Sequence, residues 1–138
     1  MSSQRLGVSL LAALSLFGCA TPNSHILEGG SQVELRSYQS RSFDTADKVL
    51  VVRNVISTMQ DLSFVIDNAD AQQGIIAGKK YGDYPIEMTV TVQPISSRQI
   101  LVHGIAQYNL KPIEDPFLYE QFFSSLQEYV PYIPLSGD

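Results

Sequence analysis

Residues 86–93, IEMTVTVQ, alternate without a break: Ile86, Met88, Val90 and Val92 fall on one side, Glu87, Thr89, Thr91 and Gln93 on the other. Strict period-two patterning in residues of this type specifies a strand with one buried and one solvated face. Pro94 to Arg98 form a short break, and a second such stretch follows, QILVHGIAQYNL over 99–110. There Ile100, Val102, Ala106, Tyr108 and Leu110 share one face, and Leu101, His103, Ile105, Gln107 and Asn109 share the other. A connection this short allows only antiparallel pairing. The hairpin therefore demands an antiparallel sheet whose apolar face is covered by something else.

Two amphipathic segments can supply the cover. Asp44 is placed to begin a helix, with Asp47 adding a second acid near its positive end. Val49, Val52, Val55, Ile56, Met59 and Leu62 recur at spacings of three and four along it. Asp115 caps the second helix, Pro116 occupies its first position, and its stripe is Tyr119, Phe122, Phe123, Leu126 and Val130 before Pro131 ends it. Between the helices, Phe64 to Ile66 read as a short strand, Asp67 to Asp70 as an Asx turn, and Gly74 to Tyr81 as a strand leading to a turn at Gly82 to Pro85. Upstream, 33–43 alternates loosely and suits one more strand. The expected fold is α+β: an antiparallel sheet of four to five strands with two helices packed on one face, a two-layer sandwich. It occupies 33–131, with 132–138 as an extended tail.

The N-terminal part has a different character. Arg5 precedes an uncharged run, Leu6 to Phe17, that is too short to span a bilayer as a helix and has the form of a secretory signal. The run ends in Leu16-Phe17-Gly18-Cys19-Ala20, which holds the only cysteine in the chain. This resembles the lipobox of bacterial lipoproteins, and the resemblance implies a signal peptide over 1–18 and lipidation of Cys19. Ordinary cleavage after Ala20, releasing a chain without cysteine, is the alternative. Residues 19–32 then form a lipidated cysteine and a tether rich in Pro, Asn, Ser and Gly. Ala20 in place of an aspartate implies sorting to the outer membrane by the same resemblance.

The chain has 9 basic against 14 acidic residues and a formal net charge of −5. That balance, with no basic run, argues against nucleic-acid binding and against attraction to anionic lipid, so membrane attachment is expected to come from the lipid alone. Chemistry is scarce. His25 lies in the tether, and His103 has no second His or Cys with which to form a zinc set. DNADAQQG, 67–74, places Ala69 and Ala71 where a calcium loop needs oxygen donors. The serines lie in no Gly-x-Ser-x-Gly elbow. The expectation is a non-enzymatic chain without metal or cofactor.

The stretch VISTMQDLSFVIDNADAQQGIIAGKKY, Val55 to Tyr81, resembles a segment of the helix-grip domains of BamC-type lipoproteins. The shared pattern is an amphipathic helix ending in Leu62, then Phe64-Val65-Ile66-Asp67, an acidic turn through Asp70, and Gly74 opening the next strand. The resemblance implies a helix-grip fold and an accessory role in outer-membrane β-barrel assembly. Leu101, His103 and Ile105, on the sheet face away from the helices, are the candidate partner-docking residues. A small apolar-ligand module, with the ligand between helices and sheet, is the second reading.

Overall fold

The structure is a computed structural model and describes residues 24–130. The apolar N-terminal run, Cys19 and the tail 132–138 lie outside the described residues. The chain runs α1 (Ser24–Gln39), β1 (Ser40–Phe43), α2 (Lys48–Asp61), β2 (Val65–Asp70), β3 (Ile75–Lys80), β4 (Ile86–Pro94), β5 (Ile100–Tyr108), β6 (Lys111–Pro112) and α3 (Pro116–Gln127). Among the described residues, six strands form one antiparallel sheet in the order β1-β5-β4-β3-β2, with β6 paired to the end of β5. It is an α+β fold with the helices on one side of an open sheet.

The meander β2-β3-β4-β5 follows from its short connections, and α2 crosses the sheet to carry the chain from β1 at one edge to β2 at the other. The inward residues of the central hairpin are those that the alternation selects: Met88, Val90, Val92, Ile100, Val102 and Ala106 are buried. Facing them, Tyr119, Phe122, Phe123, Leu126 and Val130 from α3 and the turn after it are buried too, as their spacing requires. The Phe122 and Phe123 rings meet edge-on at 5.0 Å, and the Arg41 guanidinium lies 5.4 Å above Phe123. The Asp115 carboxylate accepts from the Phe117 amide at 2.9 Å, closing the first turn of α3.

Five expectations need correction. The segment 24–39, read as half tether and half strand, is a third helix, and β1 begins only at Ser40. Gly29 and Gly30 oppose a helix, but Leu35 and Tyr38 pack on the core and Gln39 reaches Tyr119, so tertiary contact outweighs local preference. The α2 cap is Asp47, whose carboxylate accepts from Leu50 N at 3.0 Å, and not Asp44. Its buried face is Val51, Val52, Val55, Thr58 and Met59, which leaves Val49 in solvent.

Residues Asp67 to Asp70 belong to β2, whose register shifts between Ile66 and Asn68. The turn is Ala71 to Gly74, and Asp70 still organises it by accepting from the amides of Gln72 and Gln73, both at 3.0 Å. Finally, β5 stops at Tyr108, so Leu110 is not an inward residue: Asn109 and Leu110 form a two-residue hairpin turn with φ of 49° and 64°. At the end of α2, Ser63 adopts φ 72° and Phe64 N donates to Met59 O, a capping geometry that drives Phe64 into the core beneath the sheet.

Candidate functional site

The helices cover one face of the sheet, and the register of the strands lays out the other in rows. One row runs Asn68, Ala77, Thr89, Ile105 and the next runs Asp70, Ile75, Thr91, His103, Ser40. A third holds Val65, Lys79, Glu87 and Gln107, and a fourth Gln93, Leu101 and Ser42. The three residues singled out from the sequence therefore do lie together on β5 and point away from the helices. Ile105 is 49% exposed, whereas Leu101 and His103 are half-buried.

His103 is engaged rather than free. Its Nδ1 shares a hydrogen bond of 2.7 Å with Ser40 Oγ. Burial, and then the Arg36 charge nearby, hold its pKa below the ordinary histidine value, so the ring is neutral near pH 7. Hydroxyl and imidazole at this distance have the contact geometry of a nucleophile and its base. The pair nevertheless lies on a sheet face among Ile75, Thr91 and Leu101, and Ser40 stands on the edge strand. The contact joins residues 63 apart in sequence, which no local motif signals.

At one end of the same face, Glu87 accepts from Gln107 Nε2 at 2.8 Å and sits 3.5 Å from Lys79 Nζ. The Gln107 hydrogen bond, and then the Lys79 charge, hold the Glu87 carboxyl below the usual carboxylate range. The trio borders a surface concavity of about 450 Å³ between the 81–85 turn and the 109–110 turn. The sequence does not announce this corner, because its parts come from three strands and two turns and no two of them form a motif. Exposed aromatics next to turn residues, Tyr81 and Tyr84, are the one local signal it carries.

Among the described residues there is no group of three or more His, Cys, Asp or Glu side chains placed to hold a metal ion, and no helix long and apolar enough to cross a membrane. No protein-family model matches the chain, and no curated protein matches it.

Proposed function

We propose that this chain is a lipid-anchored, non-enzymatic lipoprotein of the outer membrane that works by protein–protein contact, as an accessory of an outer-membrane assembly or secretion complex. Cys19 carries the anchor, and the uncovered sheet face carries the contact. The observation that supports a docking face is its content. Ile105, Leu101, Val65, Ile75 and Ala77 lie on the side away from the helices, interleaved with Thr89 and Thr91. Apolar side chains among short hydroxyls give a flat surface that buries well with little side-chain entropy lost.

The second reading, an apolar ligand between helices and sheet, is disfavoured by packing. That space is occupied by Phe43, Met59, Met88, Tyr119, Phe122 and Phe123, all at most 1% exposed. A ligand there would have to displace close-packed side chains.

Two experiments test the proposal in separate parts. Cys19→Ala in the full chain is expected to move the protein from the membrane pellet to the soluble fraction; retention in the pellet overturns the lipid anchor. Leu101→Lys with Ile105→Lys should reduce capture of cross-linked partners from intact membranes at least tenfold, with an unchanged far-ultraviolet dichroism spectrum. Each introduced charge would have to be desolvated at a contact. Undiminished capture by this variant removes the sheet face as the docking surface. β-barrel assembly subunits among the captured proteins would extend the BamC resemblance to function, and subunits of another envelope complex would change the client.

A further inference from the structure

Leu110 is a residue that the fold does not need. The turn joining β5 to β6 has two residues, and Asn109 and Leu110 both have positive φ. This is the hairpin turn in which glycine is the favoured second residue, because any side chain there strains the backbone. Leucine is among the poorer choices, and its side chain is 85% exposed, so burial does not offset the strain. An uncompensated backbone outlier points to a role outside folding.

What Leu110 does is form one lip of the concavity at the end of the sheet. Its volume of about 450 Å³ lies within the range of small-molecule sites. Tyr81, 67% exposed, supplies an aromatic wall, and Pro85 and Ile86 add apolar surface. The polar members are Asn109, Gln107 and the Lys79–Glu87 pair. Lys79 and Glu87 neutralise one another, so the site has no net charge to favour an ion. Gln107, which lines the concavity, gives an Nε2 proton to Glu87 and keeps its amide carbonyl as an acceptor. Planar amides and a carboxylate beside an exposed tyrosine form the donor–acceptor set that suits a sugar. The C–H face of a pyranose packs on the ring, and vicinal hydroxyls pair with the carboxylate and amides.

We propose that this concavity binds an N-acetylated hexopyranose unit of a glycan. The acetamido group accounts for the mixture of lining residues: its methyl fits Leu110, Pro85 and Ile86, and its N–H and C=O match the Gln107 and Asn109 amides. The proposal stands apart from the docking role of Leu101 and Ile105, and neither of those residues lines the concavity.

The test is saturation-transfer NMR on the protein purified in detergent, with triacetylchitotriose as probe and cellotriose, which has the same linkage and hydroxyls in place of acetamido groups, as comparison. Transfer is expected to centre on the acetamido methyls of triacetylchitotriose, with a dissociation constant on the order of 1 mM or lower. Tyr81→Ala and Gln107→Ala should each weaken binding at least tenfold. Leu110→Gly should weaken it too while leaving the thermal midpoint unchanged or raised, which separates loss of the lip from loss of fold. Equal transfer to cellotriose overturns the N-acetyl assignment. No transfer to either saccharide, or transfer undiminished in the Tyr81 and Leu110 variants, overturns the site and leaves the corner to a protein partner.

Discussion

Gly74→Ala is expected to destabilise the domain by about 3–5 kcal/mol and to lower its thermal midpoint by more than about 10 °C. Gly74 ends the turn between β2 and β3 at φ 73°, where an alanine alone is strained by about 1 kcal/mol. Steric collision adds more than this strain does. A Cβ at this position collides with the backbone carbonyl oxygen of Val92 and comes within 2.9 Å of the Lys48 Cε. Lysine can move, but Val92 cannot. It lies in the central strand β4, its side chain is 1% exposed, and its amide donates to Gly74 O at 2.7 Å. Relief therefore requires the β3–β4 ladder to open or the turn to withdraw, which would also break the 2.7 Å bond from Gly74 N to Asp70 O. Gly82→Ala is the control. Gly82 also has a rare φ, 150°, but a Cβ there meets nothing within 4 Å. If chemical denaturation shows the same loss for both variants, backbone preference and not the approach of Val92 decides the effect.

Gly74 also marks how far the sequence is legible. Its place after an acidic turn and before Ile75-Ile76 announces a strand start, and strand β3 does start there. Nothing local announces that β4 passes so close. The same division holds throughout the fold. Met88, Val90, Val92 and the stripe from Tyr119 to Val130 can be read because a single element's period reports which side is covered, and one covered side is enough to fix it. Helix α1 cannot be read in that way. Its helical spacing, to which Leu35 and Tyr38 contribute, is masked by a stretch whose glycines and loose alternation favour other conformations. It is helical because α3 and β5 give it a surface to lie on. Leu110 misleads for the opposite reason: the alternation of β5 runs on in sequence past the point where the chain turns back at Asn109.

The candidate site divides similarly. That Leu101, His103 and Ile105 share a face is a property of β5 alone, and so follows from period two. That His103 meets Ser40, that Ile105 lies in a row with Thr89 and Ala77, and that Lys79, Glu87 and Gln107 form a trio are properties of strand order and register. Register is set by the hairpin turns and by burial of the opposite face, so it becomes visible only with the whole sheet. The lipobox-like stretch around Cys19 behaves differently from both. Its reading needs no fold, since it rests on the order of residues alone.

Tyr119→Phe is expected to cost about 2–4 kcal/mol although it removes a single oxygen. The reason lies in the edge of β5. On the side of β5 away from β4, strand β1 pairs with Ile100–His103 and β6 with Gln107–Tyr108, so Ala106, which faces Met88 of β4 on its other side, falls between them without a strand partner there. Its carbonyl accepts from Ile113 N at 2.9 Å, and its amide donates to the Tyr119 hydroxyl at 3.2 Å. That hydroxyl donates in turn to Ile113 O at 2.6 Å and accepts from Gln39 Nε2 at 3.3 Å. One fully buried oxygen thus closes the gap in the sheet edge and ties the end of α1 and the approach to α3 to it. Phenylalanine keeps the ring packing but leaves the Ala106 amide and the Ile113 carbonyl without partners, at about 1–3 kcal/mol for each buried group. Gln39→Ala removes only the longest of the three bonds and should cost about 1 kcal/mol or less. Equilibrium denaturation gives the ranking, and amide exchange locates it. In Tyr119→Phe the Ala106 amide should lose protection relative to Val90 and Val92 of β4. If Ala106 stays as protected as those residues, the hydroxyl is not what closes the edge, and the stability loss must come from elsewhere in the core.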